Sequence, residues 1–283
     1  MAIRRRVRAL PVTRTFPWRE TRDPWRVLVA EVCCQQTQAR RAVSAYERCC
    51  ARFPTPSECA GAPLRDVLEA WSGLGYYRRA RDLRLTARAI VERHDGRVPD
   101  DLGALLALPG VGPYTARAVL AFAFERDVAV VDTNVARVLA RAVVGRPLSR
   151  TEAQRVADRL VPRGRGWVHN QALLDLGATT CTVRPACERC ALRPGCAWRA
   201  GGVAADPARR SAHAPRRQQP FAGSDREGRG RLLAAVLRGP VPIDELGAVS
   251  GWSTDPARAR RVADDLVVDG LATFAVGTLR AAE

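Results

Sequence analysis

The stretch from Leu108 to Leu139, LPGVGPYTARAVLAFAFERDVAVVDTNVARVL, constrains this chain most. Leu108-Pro109-Gly110-Val111-Gly112 reads as a tight Gly-rich turn, and the apolar-periodic run Ala116 to Phe124 after it reads as a helix. Free backbone N–H groups at the start of a helix form a phosphate site, so Leu108, Gly110, Val111 and Gly112 are candidate contacts to a polyanion. Downstream, the apolar Val128-Ala129-Val130-Val131 ends in Asp132-Thr133-Asn134, where Asp or Thr can cap a helix from Val135 to Val143. Asp132 therefore stands where buried chain meets a helix N-terminus.

Charge points the same way. The chain carries +17, with 33 Arg against 19 acids in residues 1–196 and 13 against 10 beyond. A basic body suits a polyanion partner through phosphate neutralisation, although an Ala- and Arg-rich genome would leave the same bias. All 46 basic residues are Arg and none is Lys. No apolar run reaches the roughly 18 to 20 residues of a membrane span. Met1 to Leu10 lacks the apolar core of a signal peptide, so a cytoplasmic monomer is expected.

At 283 residues the chain has room for about two domains. Periodicity and caps predict helices over 25–37, 39–53, 64–71, 78–94 and 101–107 before the Gly-rich turn, with a short one from Ser57. After it they predict helices over 151–161, capped by Ser149 or Thr151, and over 167–176, ended by Gly177. Residues 199–222, rich in Ala, Gly, Pro, Arg and Gln, read as a linker. Beyond it, three short helices (225–237, 243–249, 256–269) and a hairpin over 270–279 suggest a small winged-helix domain, 223–283.

Four of the nine cysteines fall as Cys181-x5-Cys187-x2-Cys190-x5-Cys196. Without a secretory signal they read as metal ligands. One C-x2-C flanked by two wider gaps suits four thiolates around an iron-sulfur cubane better than the paired knuckles of zinc, with zinc as the alternative. Cys33, Cys34, Cys49, Cys50 and Cys59 lie in apolar helical contexts and read as core packing.

The turn, the Asp after it, the cysteine loop and Glu31-Val32-Cys33-Cys34-Gln35-Gln36-Thr37 together resemble the helix-hairpin-helix DNA glycosylases of the endonuclease III superfamily. Within it the likeness is to adenine DNA glycosylases of the MutY type, over roughly Phe16 to Trp198. The resemblance implies a mainly α, two-lobed glycosylase body over 1–198 with a [4Fe–4S] cluster on Cys181, Cys187, Cys190 and Cys196. The first cysteine gap is one residue shorter than is common there. Two cysteines, Cys33 and Cys34, replace the usual Met-Leu. By the same resemblance Glu31 is the general acid, Asp132 stabilises an oxocarbenium-like sugar, and Tyr114 and Asn134 lie nearby. Gln36 wedges into the duplex, and Tyr76, in Gly73-Leu74-Gly75-Tyr76-Tyr77, contacts the base opposite the target.

The implied activity is excision of adenine paired with 8-oxoguanine or guanine in double-stranded DNA. A thymine/uracil mismatch or oxidised-pyrimidine glycosylase of the same superfamily, and a non-catalytic DNA-binding protein, are the competing readings. Bifunctional members use a Lys where this chain has Tyr114, and a Schiff base needs an amine, so a monofunctional enzyme is expected. Many MutY relatives carry a Nudix-like domain after the cluster. The sixty or so residues here are too few for one, so opposite-base recognition is expected to rest on Gln36 and Tyr76.

Overall fold

Caps, glycines and one buried arginine decide where the helices end. The computed structural model describes residues 2–202, 205–212 and 220–282. The described chain is mainly helical and divides into two units, each gathered from three separate stretches of sequence.

One unit holds residues 1–27, 100–106 and 112–216. Pro113 occupies the first turn of the helix Pro113–Phe122, which therefore starts three residues earlier than periodicity suggests; a proline fits there because its missing N–H would be unpaired anyway. Asp132 caps Thr133–Val138, which runs on as a turn of π-helix, Leu139–Val144, to a left-handed Gly145. Ser149 and Glu152 form a reciprocal capping box on Arg150–Asp158. Gly166–Thr179 passes straight through Gly177 instead of ending at it. Gly177 is needed for closeness instead: a Cβ there would lie 2.8 Å from Asn134 Cβ and 2.9 Å from Asn134 carbonyl atoms.

The expected linker is structured over part of its length. Asp206 caps a 3-10 turn, Pro207–Arg210, and the Ser211 hydroxyl donates to Pro207 O at 3.1 Å while accepting from Leu148 N at 3.1 Å. These bonds make 206–211 part of the packed unit and not a free tether. Residues 203–204 and 213–219 of that stretch lie outside the described residues.

The other unit holds residues 28–99, 107–111 and 217–283. Its first part is built from Ala39–Arg52, Pro56–Gly61, Leu64–Ala70 and Arg78–His94 around Leu68, Trp71, Leu83 and Ile90, with Cys33, Cys49 and Cys59 also buried. Its C-terminal part has the three helices expected, Asp225–Arg238, Leu246–Ser250 and Pro256–Val268. The expected hairpin, Ala272–Ala275 with Thr278–Ala281, gains a third antiparallel strand, Val241–Pro242. Leu232, Leu233, Val262, Leu266 and Leu279 form its core. This part is tied to the Arg78–His94 helix at Asp269. Asp269 takes Arg229 at 2.5 Å and Arg78 at 3.4 Å, while Arg81 donates to the Asp269 carbonyl.

Candidate active site and DNA-facing loops

Glu31 lies on the helix Pro24–Cys34, which carries no other acid, and is 7% exposed among the buried Val29, Ala30, Val32 and Cys33. The helix stops three residues before the expected Thr37 because Arg79 takes over its last carbonyls. Arg79 Nη1 donates to Val32 O (3.0 Å), Cys33 O (2.9 Å) and Gln35 O, and Nη2 donates to Thr37 Oγ1 (3.0 Å) and Gly75 O (3.2 Å). A guanidinium at the negative end of a helix is favourable, and five donors in a fixed fork let it bind several carbonyls together. Its face also stacks on Trp71 (5.1 Å) and Tyr76 (5.5 Å). Arg79 thus ties the end of the Glu31 helix to the Gly73–Tyr77 loop.

Both expected base-contacting residues in this unit have strained backbones. Gln36 (φ 54°) and Tyr76 (φ 48°) are left-handed, a conformation that costs a side-chain-bearing residue about 1–2 kcal/mol and persists where the surroundings enforce it. Gln36 is exposed, and Tyr76 is 36% exposed.

In the Gly-rich turn, Gly110 has φ +70°, and a Cβ there would meet Asp82 Cβ at 2.9 Å. Thr86 Oγ1 donates to Pro109 O, and Gln35 Nε2 to Gly110 O at 3.3 Å. Leu108 and Val111 are buried beneath the turn. Gly112 precedes Pro113–Phe122 with no side-chain cap, which leaves that helix start to its backbone N–H groups.

In the other unit, the backbone of the apolar run before Asp132 is neither helix nor strand. Asn170 stands in for a strand partner, accepting from Val130 N (2.9 Å) and donating to Val128 O (2.8 Å). Asp132 Oδ1 accepts from Val135 N at 2.7 Å and Oδ2 from Asn134 Nδ2 at 2.7 Å. Burial pushes its carboxyl above the usual aspartate range, with those two donors and Arg137 pulling the other way. Arg137 in turn donates to Asn134 Oδ1 (2.7 Å), Gly177 O (2.6 Å) and Cys181 O (2.7 Å). A continuous chain of hydrogen bonds therefore joins Asp132 to the first cysteine of the loop. Tyr114, half-buried, is on the first turn of Pro113–Phe122.

The loop closes on itself through short 3-10 turns at Cys187–Arg189 and Arg193–Gly195. Cys181, Cys187, Cys190 and Cys196 line one cavity together with Val138, Leu176, Leu192 and Trp198. Among the described residues no three His, Cys, Asp or Glu side chains converge as ligands of a single ion would. Arg141, 2% exposed in its side chain, donates to Cys181 Sγ at 3.6 Å and to Thr182 O at 2.5 Å, and pairs with Asp206 at 2.6 Å.

Residues 29–163 match the model of the HhH-GPD superfamily of base excision DNA repair proteins. The chain is 43% identical over 270 residues to the adenine DNA glycosylase of Mycobacterium tuberculosis, covering 93% of this chain and 87% of that protein. It is 41% identical over 263 residues to that of Mycolicibacterium smegmatis, covering 91% and 87%. The chain belongs to the adenine DNA glycosylases. Among solved structures it is similar to a thermostable thymine-DNA glycosylase, at TM-score 0.63 and 30% identity over 70% of this chain and 94% of that one. Adenine DNA glycosylases are helix-hairpin-helix proteins, which accounts for the Gly-rich turn. Sequence reasoning missed Arg79 and Arg137, the two arginines that hold the Glu31 helix end and Asp132 in place.

Proposed function

We propose that this glycosylase hydrolyses the N-glycosidic bond of adenine mispaired with 8-oxoguanine or guanine in double-stranded DNA, leaving an abasic site. The burial of Glu31, 7% exposed on a helix with no other acid, carries the reading, because a carboxyl withdrawn from bulk water and fixed on a helix can serve as a positioned general acid. Glu31 delivers that proton to N7 of the adenine, so the bonding pair of C1′–N9 leaves with a neutral base. Asp132, anchored by Val135 N and Asn134, stabilises the cationic sugar, with Tyr114 assigned to the same site by the family resemblance, and water adds at C1′ and gives up a proton to solvent. Leu108, Gly110, Val111 and Gly112 present backbone N–H groups to a phosphate, and Gln36 and Tyr76 meet the opposite base. Extruding adenine costs a few kcal/mol of stacking, offset by that grip.

The test is single-turnover cleavage of duplexes holding one A·8-oxoG, A·G, T·G or U·G pair. The T·G arm addresses the likeness to the thymine-DNA glycosylase. Release is expected from the two adenine duplexes, with an intact strand until alkali is added, since Tyr114 offers no amine. Glu31→Gln and Asp132→Asn should each lose about 10² or more in rate while still binding duplex. Full activity in either would overturn the assignment.

The cysteine loop is proposed to hold a [4Fe–4S] cluster. Four thiols spread around one apolar cavity, with the Arg141 N–H directed at Cys181 Sγ, suit a group with volume of its own. Bound there, it would supply structural order to the loop. Protein expressed with iron should be brown, absorb broadly near 400 nm and contain iron; a colourless protein with stoichiometric zinc would refute the cluster.

A further inference from the structure

Gln36 and Tyr76, the two residues assigned to the opposite base, stand on separate loops, and the left-handed backbone of each is bracketed by bonds from one side chain. Arg79 Nη1 donates to Gln35 O, the carbonyl joined to the Gln36 nitrogen, and Nη2 donates to Thr37 Oγ1 on its other side at 3.0 Å. The same Nη2 donates to Gly75 O, the carbonyl joined to the Tyr76 nitrogen, at 3.2 Å, and Nε donates to Tyr76 O at 3.4 Å. Arg79 is 7% exposed, and among the described residues its acceptors are carbonyls and one hydroxyl, with no carboxylate. Burying a cation without an opposite charge is unfavourable, so stability alone accounts poorly for this arginine. Its helix, Arg78–His94, also holds the Gly-rich turn, because Thr86 Oγ1 donates to Pro109 O.

We propose that Arg79 is the positioning residue for opposite-base recognition, locking Gln36 and Tyr76 at one spacing so that the preference between bases depends on a side chain that is itself buried. A recognition site has to be held within about 0.5 Å of its productive geometry. Neither loop keeps such a geometry by itself, since each residue would relieve strain by moving to negative φ. The planar guanidinium fork fixes both bordering peptide groups together, which the compact ammonium of a lysine does not reproduce.

The inference rests on the reading that Gln36 and Tyr76 meet the opposite base. Fluorescence anisotropy measures affinity for two duplexes in which a non-hydrolysable 2′-fluoro adenosine faces 8-oxoguanine or guanine, beside single-turnover adenine release from the ordinary duplexes. The unaltered protein should bind the 8-oxoguanine duplex more tightly, and Arg79→Lys should bring that Kd ratio toward 1 by about fivefold, the worth of roughly one hydrogen bond. Thr37→Val, which removes only the acceptor beside Gln36, should lower the ratio by a smaller factor. Arg84→Lys should leave it unchanged, since Arg84, on the same helix, bonds instead to Ala62 O at 2.7 Å. Hydrogen exchange without DNA should quicken together at 35–37 and 75–77 in Arg79→Lys, and if that variant does not fold the Thr37→Val ratio decides. A structural role alone would weaken both duplexes equally. A ratio unmoved in Arg79→Lys, equal Kd values in the unaltered protein, or the same loss in Arg84→Lys would overturn the proposal. If the ratio falls as expected but the unaltered protein releases no adenine, Arg79 keeps its role and the adenine reading fails. If adenine is released and the ratio is unmoved, the reverse holds.

Discussion

His169 is 4% exposed on the Gly166–Thr179 helix, and neither ring nitrogen has a hydrogen-bond partner among the described residues. Burial, with Arg8 nearby, lowers its pKa from 6.5 to about 4. The unfolded chain therefore takes up this proton first as pH falls, and stability present above about 6.5 is lost progressively toward 4, up to about 3 kcal/mol. Asp175, one turn and a half along the helix, behaves differently. Burial alone would raise its carboxyl, but Arg19, Thr13 N–H and Arg14 overcome that and hold it at about 2, so its contribution fades only below the usual aspartate range. Urea unfolding at pH 7.5 and 5 should show a stability loss that His169→Leu abolishes; an equal loss in the variant would place the proton elsewhere. Arg79 shows what single residues conceal in sequence. It is one of five arginines between 78 and 88, yet its spacing from Leu83, Thr86 and Ile90 puts it on the buried face of its helix, a signal that basic composition hid.

Between elements, Thr133–Val138 packs closely on Gly166–Thr179 at Gly177. A methyl group there meets Asn134 backbone atoms, which cannot swing aside as a side chain would. Gly177→Ala is expected to destabilise the protein by about 1–3 kcal/mol and to shift Asn134. Because Asn134 holds Asp132, adenine release should fall at least tenfold while duplex affinity stays within threefold. Wild-type single-turnover rates in a folded Gly177→Ala protein would show that Asp132 is insensitive to that support. The helices were legible because periodicity is local. The true role of Gly177 was not, since a C-cap glycine and a close-approach glycine look alike until the partner helix is known. The same holds for residues 206–211: their composition reads as linker, and it takes partners distant in sequence, Arg141 on Asp206 and Leu148 N on the Ser211 hydroxyl, to make them part of the unit.

At the scale of the whole molecule, the chain is interleaved: each unit collects its parts from the beginning, middle and end or near-end of the sequence. The strap around Thr13 and Arg14 docks on Asp175, more than 160 residues later, through bonds of 2.7 to 2.9 Å. Arg78 and Arg81 wait still longer, for Asp269. Contacts this distant in sequence are slow to close, and during synthesis they do not exist until their partner has been made. Folding on the ribosome therefore cannot proceed unit by unit from the N-terminus. Ribosome-stalled chains ending near residue 165 should be digested by protease throughout. Chains extended past Thr179, with the exit tunnel cleared, should first protect the strap. The segment beyond 223 is then the last to be sheltered, and protection of a 165-residue nascent chain would mean that one unit closes without its late-arriving helix.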